Sequence, residues 1–217
     1  MSERAILWGR GSSTNVQKVL WTCHELGRQV DHRPLAGEYG GNDAAWFLEL
    51  NPNGTVPVFQ DSAVTLYESQ AIMRYLARAH GKLYGAENRD MAAVDQWLDW
   101  FSLGFWPPVR MLFLDVFRDR RLALNSPEAQ AMVTRASVQT ERIATQLRQT
   151  PFIAGEAFSI ADIAVVIGLN RMVGLDFCIP LPDPLPEWLS KQTSRPGFAH
   201  ATRNEPDMPG HRQQGAA

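Results

Sequence analysis

Cysteine is scarce in this 217-residue chain, with only Cys23 and Cys178. They form neither a C-x-x-C pair nor a disulfide framework, which argues against a cysteine-stapled secreted fold and makes a cytoplasmic location the expectation. Long apolar runs are missing as well. Ala5-Ile6-Leu7-Trp8 is too short for the apolar core of a signal peptide, and Ile160–Leu169 is interrupted by Asp162 and falls well short of a bilayer span. No membrane partner is therefore expected. Neither sign of charge prevails: 21 Lys and Arg face 23 Asp and Glu for a net charge of −2, so nucleic acid is not an expected partner either. The histidines, at positions 24, 32, 80, 200 and 211, have no metal-ligand spacing, and no metal is expected. A G-x-S-x-G motif is absent, which argues against a serine hydrolase.

What is present is concentrated in Asn51–Leu76. Asn51-Pro52-Asn53-Gly54 is a turn, because Pro fixes φ while Asn and Gly tolerate positive φ. Val56-Pro57-Val58-Phe59 has β character, and its proline has no N–H for a ladder; it belongs at a strand start, at an edge or on a cis bond. Gln60–Ala63 is a tight turn and Val64-Thr65-Leu66 a second short strand. Glu68-Ser69 then opens a helix with Ile72, Tyr75, Leu76 and Ala79 at helical spacing. A polar pair at such a helix start is either a cap or a place to hold an anion.

Before this stretch, Ala5–Trp8 reads as a buried strand and Gly9–Asn15 as a loop. A helix carrying Val16, Val19, Leu20, Cys23 and Leu26 on one face runs up to Gly27, and Val30–Leu35 is a second strand. A short helix over Asp43–Leu50 is expected, with Asp43 as N-cap and Trp46, Phe47 and Leu50 facing inward. The order βαβ-α-ββα places an α/β domain with a mixed sheet in residues 1–80. Periodicity lapses over 81–89, the expected linker, and residues 90–205 read as an all-helical domain followed by a loose tail at 206–217. Within the helical part, Met91–Trp106 is crowded with aromatics, Pro107-Pro108 is expected to stop or kink the helix, and Val109–Leu124 resumes it. Phe158-Ser159-Ile160-Ala161-Asp162 has the form of a capping box.

Gly9-x-Gly11-x-x-Thr14, with Asp31 in the next strand, imitates a dinucleotide fingerprint, but the third glycine and the strands for a doubly wound sheet are both missing. Ser12-Ser13-Thr14-Asn15 at a helix start is either a cap cluster or a set of hydroxyls and free N–H groups able to stabilise an anion, including a thiolate. Cys23, on the apolar face, reads as a small core residue.

Taken together, these pieces resemble the soluble glutathione transferases over about residues 4–200, most specifically in NPNGTVPVF, YESQAIMRYL and FSIADIA. The resemblance implies a thioredoxin-like N-terminal domain and an all-α C-terminal bundle. It implies a cis bond before Pro57, a backbone pairing of Val56 with the cysteinyl part of glutathione, and Glu68-Ser69 on the γ-glutamyl end. Counted back from Lys18-Val19, Ser13 falls at the catalytic serine of the serine-type classes (theta, phi, zeta), with Thr14 and Asn15 as alternatives. No tyrosine occurs in residues 5–20 and no cysteine in the loop, so the tyrosine- and cysteine-type classes match poorly. Asn42 stands where some relatives set a basic or polar residue against the glycyl carboxylate. The implied activity is transfer of glutathione to small hydrophobic electrophiles, with peroxide reduction as a further use. A zeta-like isomerase, a dehalogenase and a non-catalytic binding module are the alternatives. A homodimer is implied. Trp106 is a candidate wall of the electrophile pocket, or else interdomain core or a dimer contact.

Overall fold

Four short strands form the only sheet among the described residues, which in this computed structural model are 5–203. They are β1 (Ala5–Trp8), β2 (Val30–Arg33), β3 (Val58–Gln60) and β4 (Thr65–Tyr67), in the spatial order β2-β1-β3-β4. β1 runs parallel to β2 and antiparallel to β3, and β3 is antiparallel to β4, so the sheet is mixed. Register follows the apolar pattern: Leu7 lies opposite Phe59, and both are fully buried.

Helix α1 (Thr14–Glu25) makes the parallel β1-to-β2 connection. It ends where Gly27 takes a left-handed φ of 66°, letting Gly27 N–H bond His24 O and Arg28 N–H bond Cys23 O. Short helix α2 (Ala45–Leu50) and helix α3 (Ser69–His80) complete the pattern read from the sequence, a thioredoxin-like α/β arrangement. Two details differ. The cap of α2 is Ala44, whose carbonyl accepts from Phe47 and Leu48, while Asp43 sits one residue upstream in the preceding turn. Only Phe47 of that helix is fully buried; Trp46 remains 46% exposed.

The chain divides into two compact units. Among the described residues, the first contains 5–84 and also 195–203; the second contains Gly85–Ser194. Residues 195–203 were expected in the helical domain, but their contacts lie with α1. The last helix, α9 (Pro196–Thr202), sets Phe198 edge-on against Trp21, and Arg195 pairs with Glu25 at 3.0 Å. The expected tail at 206–217 lies outside the described residues.

The second unit is entirely helical among the described residues. It comprises α4 (Asn88–Trp100), α5 (Trp106–Met111), α6 (Pro127–Leu147), α7 (Ile160–Gly174) and α8 (Leu185–Thr193). Pro107-Pro108 neither stops the chain nor ends the helical path. A π-helical stretch, Phe101–Phe105, precedes the prolines, and Trp106 N–H reaches back five residues to Phe101 O. The wider turn accommodates two residues that lack an N–H and stacks residue i over i+5, so the Phe101 and Trp106 rings lie 12° from parallel. A second π-helical stretch, Leu112–Arg118, ends the path six residues before the expected Leu124. Almost every residue of α7 is buried, as its Ile/Ala/Val composition requires. Gly168 is bare because a Cβ there would come within 2.7 Å of both Phe101 and Phe105. No helix among the described residues is long and apolar enough to cross a membrane.

Candidate active site

The loop after β1 is pinned before it reaches α1. Gly9 N–H bonds Arg33 O at 2.9 Å, and His32 Nε2 lies 2.7 Å from Gly9 O. A Cβ on Gly9 (φ 147°) would collide with Val16 Cγ2 at 2.5 Å and reach Val56 Cβ at 3.0 Å. Glycine is thus required for the loop to fit between the start of α1 and Val56. Ser13 is the N-cap of α1, with extended backbone (φ −76°, ψ 122°) and a carbonyl that accepts from Gln17. Its hydroxyl makes no cap hydrogen bond. The amides of Thr14, Asn15 and Val16 lie in the first turn, where the helix supplies no acceptor. A half-buried hydroxyl and amides without an intrahelical acceptor therefore share one helix start, an arrangement suited to an anion.

The second piece is the Asn51–Pro57 turn. Asn51 is buried; its Oδ1 accepts from Asn53 N and its Nδ2 donates to Thr55 O at 2.8 Å. Asn42 Nδ2 donates to Gly54 O at 3.0 Å, so Asn42 clamps this turn. The Val56-Pro57 bond is cis, and β3 begins only at Val58, leaving the Val56 backbone outside the ladder.

The third piece is the start of α3. Glu68, its N-cap, holds φ at 67°, a left-handed conformation that costs a non-glycine residue about 1–2 kcal/mol. Ser69 is buried and donates from Oγ to Asn15 Oδ1 at 3.3 Å. This bond joins two residues 54 positions apart and brings the start of α1 to the start of α3. Sequence reasoning named both residues without linking them, because their side chains meet only once α1 packs on α3.

One residue of this seam was overlooked. Lys18 lies one turn into α1, is 3% exposed and interacts electrostatically with Glu68. Burial pulls the ammonium down from 10.5 to about 7, with Glu68 acting in the opposite direction. Its i+3 spacing from Asn15 was the available signal. Between about pH 7 and 10.5 the unfolded lysine binds more protons than the folded one, so stability rises with pH there. From pH 7 to 9 wild-type stability is expected to rise by about 2 kcal/mol from this group, and Lys18→Met to abolish the rise. Urea denaturation at both pH values checks this. Cys23, one helix face away, is inert by comparison: burial pushes its thiol up to about 12.

Trp106 lies in the second unit, half-buried against Phe101. Asp31, the acidic residue of the imitation dinucleotide motif, pairs with Arg33 at 2.8 Å.

The chain is similar to known proteins of one family. Residues 12–79 match the family model for the glutathione S-transferase N-terminal domain. Glutathione S-transferase GstB of Escherichia coli K12 is 32% identical over 196 residues, covering 88% of this chain and 93% of that protein. Among solved structures, the theta class glutathione S-transferase of Xanthomonas axonopodis pv. citri, with glutathione bound, superposes with a TM-score of 0.79 at 32% identity, covering 93% of this chain and 97% of that one. A mutant of poplar glutathione transferase F1 gives 0.86 at 25% identity, covering 94% and 98%.

Proposed function

Because the chain belongs to the glutathione S-transferase family, we propose that it activates the glutathione thiol with the Ser13 hydroxyl and directs the thiolate at small hydrophobic electrophiles. In this reading Glu68 and Ser69 hold the γ-glutamyl end, and the Val56 backbone, presented by the cis Pro57 bond, pairs with the cysteinyl part. Asn42 fixes the turn that carries Val56. The observation that carries the proposal is the Ser69–Asn15 hydrogen bond, which sets the helix start that would bind the tripeptide beside the helix start that would activate it. Asn15 accepts in that bond through Oδ1, which ties its amide group to the start of α3. Thr14 and Asn15 are the fallback donors.

The energetics suffice. A free thiol of pKa about 8.5 is only about 3% ionised at pH 7, and lowering the pKa by roughly two units requires about 2.7 kcal/mol. A hydroxyl donating to a charged group contributes about 1.5–3 kcal/mol, and a helix N-terminus about 0.3–1. No general base is needed. The electrophile would be met by the helical unit, with Trp106 as its candidate wall, and the same thiolate would serve peroxide reduction. Family membership supports a homodimer in the cytoplasm as the working form.

Glutathione-agarose should retain the protein. Glu68→Ala and Ser69→Ala are each expected to weaken glutathione binding about tenfold or more, the loss of one hydrogen bond to a charged group. Calorimetry showing unchanged affinity in both variants would remove the glutathione reading.

A further inference from the structure

Asn42 occupies the position expected for a glycyl-carboxylate contact, yet it carries no charge and its amide is turned to Gly54. A different side chain in the same neighbourhood is cationic. Arg10 follows Gly9 in the first loop, and Gly9 touches Val56. From there the Arg10 side chain crosses to the loop after β2. A Cβ built on Gly37 would lie 2.8 Å from Arg10 Cδ, 3.2 Å from Nε and 3.5 Å from Cζ. The guanidinium therefore rests on bare backbone, in space that any side chain at position 37 would fill. Gly37 has a left-handed φ of 62°, which also favours glycine. The loop beneath is closed on itself by Ala36 N–H to Gly40 O at 2.8 Å and Gly40 N–H to Gly37 O at 3.1 Å, so it forms a defined floor.

The other cation nearby is engaged. Arg33 donates to Asp31 at 2.8 Å and lies over the Trp8 ring at 5.0 Å. Arg10 forms no ion pair with any described residue, and that includes Glu38, which lies in the same loop. Its side chain is half-buried, held by packing and still open to solvent on one side.

We infer that Arg10 is the residue that recognises the glycyl carboxylate of glutathione, in place of a basic residue at position 42. The inference rests on the proposed function. With the γ-glutamyl end at Ser69 and the cysteinyl backbone along Val56, the remaining end of the tripeptide runs toward Gly9 and Arg10. A guanidinium presents a planar fork that matches a carboxylate with two parallel N–H donors, which neither an asparagine nor an ammonium reproduces.

Glutathione and its glycyl monoethyl ester differ only in that carboxylate, and calorimetry with both tests the assignment. Wild-type protein is expected to bind the acid about tenfold or more tightly than the ester, as suits loss of a charge-assisted pair. Arg10→Gln should bind both forms equally, near the wild-type affinity for the ester, and Arg10→Lys should restore part of the preference. A general loss of folding weakens both ligands alike and leaves their ratio unchanged, so the ratio isolates the contact. The assignment is overturned if Arg10→Gln keeps the wild-type preference, or if wild type binds glutathione and shows no preference. Should wild type bind neither form, the glutathione reading itself falls, and this assignment with it.

Discussion

Replacing Ser13 by alanine is expected to raise the pKa of the bound glutathione thiol by about one to two units, the equivalent of the 1.5–3 kcal/mol contributed by a hydroxyl hydrogen bond to a charged acceptor. From a bound pKa near 6.5, the thiolate fraction at pH 7 then falls roughly threefold to twenty-five-fold, and transfer slows in proportion. Affinity for glutathione should change little, because the contacts proposed to hold the tripeptide lie at Val56, Glu68 and Ser69. The expectation depends on a local detail: Ser13 caps α1 through its backbone, while its hydroxyl makes no cap hydrogen bond. Alanine at this position therefore removes a donor without unravelling the helix start. Titration of the ultraviolet thiolate absorbance of the binary complex measures the shift. An unmoved titration curve moves the role to Thr14 or Asn15, and Thr14→Ala and Asn15→Ala are the next variants to titrate.

The largest effect on stability is expected from Asp162→Ala, in the second unit. The Asp162 side chain is fully buried and accepts from Ile153 N at 2.8 Å, Ser159 N at 2.8 Å and Ser159 Oγ at 2.9 Å. Burial pushes its carboxyl up to about 6, with those hydrogen bonds pulling back. Removing the carboxylate strands two buried amides and a hydroxyl beside the first turn of α7. Each unsatisfied group costs about 1–3 kcal/mol, so a loss of at least about 3 kcal/mol is expected. That is a large part of the 5–15 kcal/mol typical of a folded protein. Asp162→Asn retains one acceptor oxygen and should lose less. Equilibrium denaturation followed by tryptophan fluorescence orders the three proteins, and Asp162→Ala within 1 kcal/mol of wild type would refute this account of the cap.

Asp162 also marks how far sequence alone carries. Its capping box with Ser159 was legible because both partners sit three residues apart on one helix turn, where spacing dictates contact. The turn at Asn51–Gly54, the glycine stop at Gly27 and the order of strands and helices were legible for the same reason. Features set by tertiary packing were not. The Ser69–Asn15 bond depends on how α1 meets α3, and the burial of Lys18 on the same seam. Asp43 looked like the better cap for α2, but the turn from Gly41 to Ala44 starts the helix a residue later than propensity suggests. Pro107-Pro108 carried a strong local breaking signal, which the π-helical stretch before it absorbs. In the candidate site the same division holds: the residue types at 13, 56, 57, 68 and 69 could be read, whereas the reach of Arg10 to Gly37 requires the path of two loops.

The return of α9 to the first unit has a consequence for the order in which the molecule is made. Trp21, fully buried, rests against Gly197, where a Cβ would come within 2.4 Å of its ring, and against Phe198. All of Gly85–Ser194 is synthesised between Tyr84 and that cover. On the ribosome the sheet, the Ser13 loop and the start of α3 are made early, yet the face of the Trp21 indole that Gly197 and Phe198 cover waits until the whole helical unit has been synthesised. Throughout synthesis of the helical unit that aromatic contact has no partner from α9, and transiently uncovered apolar surface of this kind favours association with other chains.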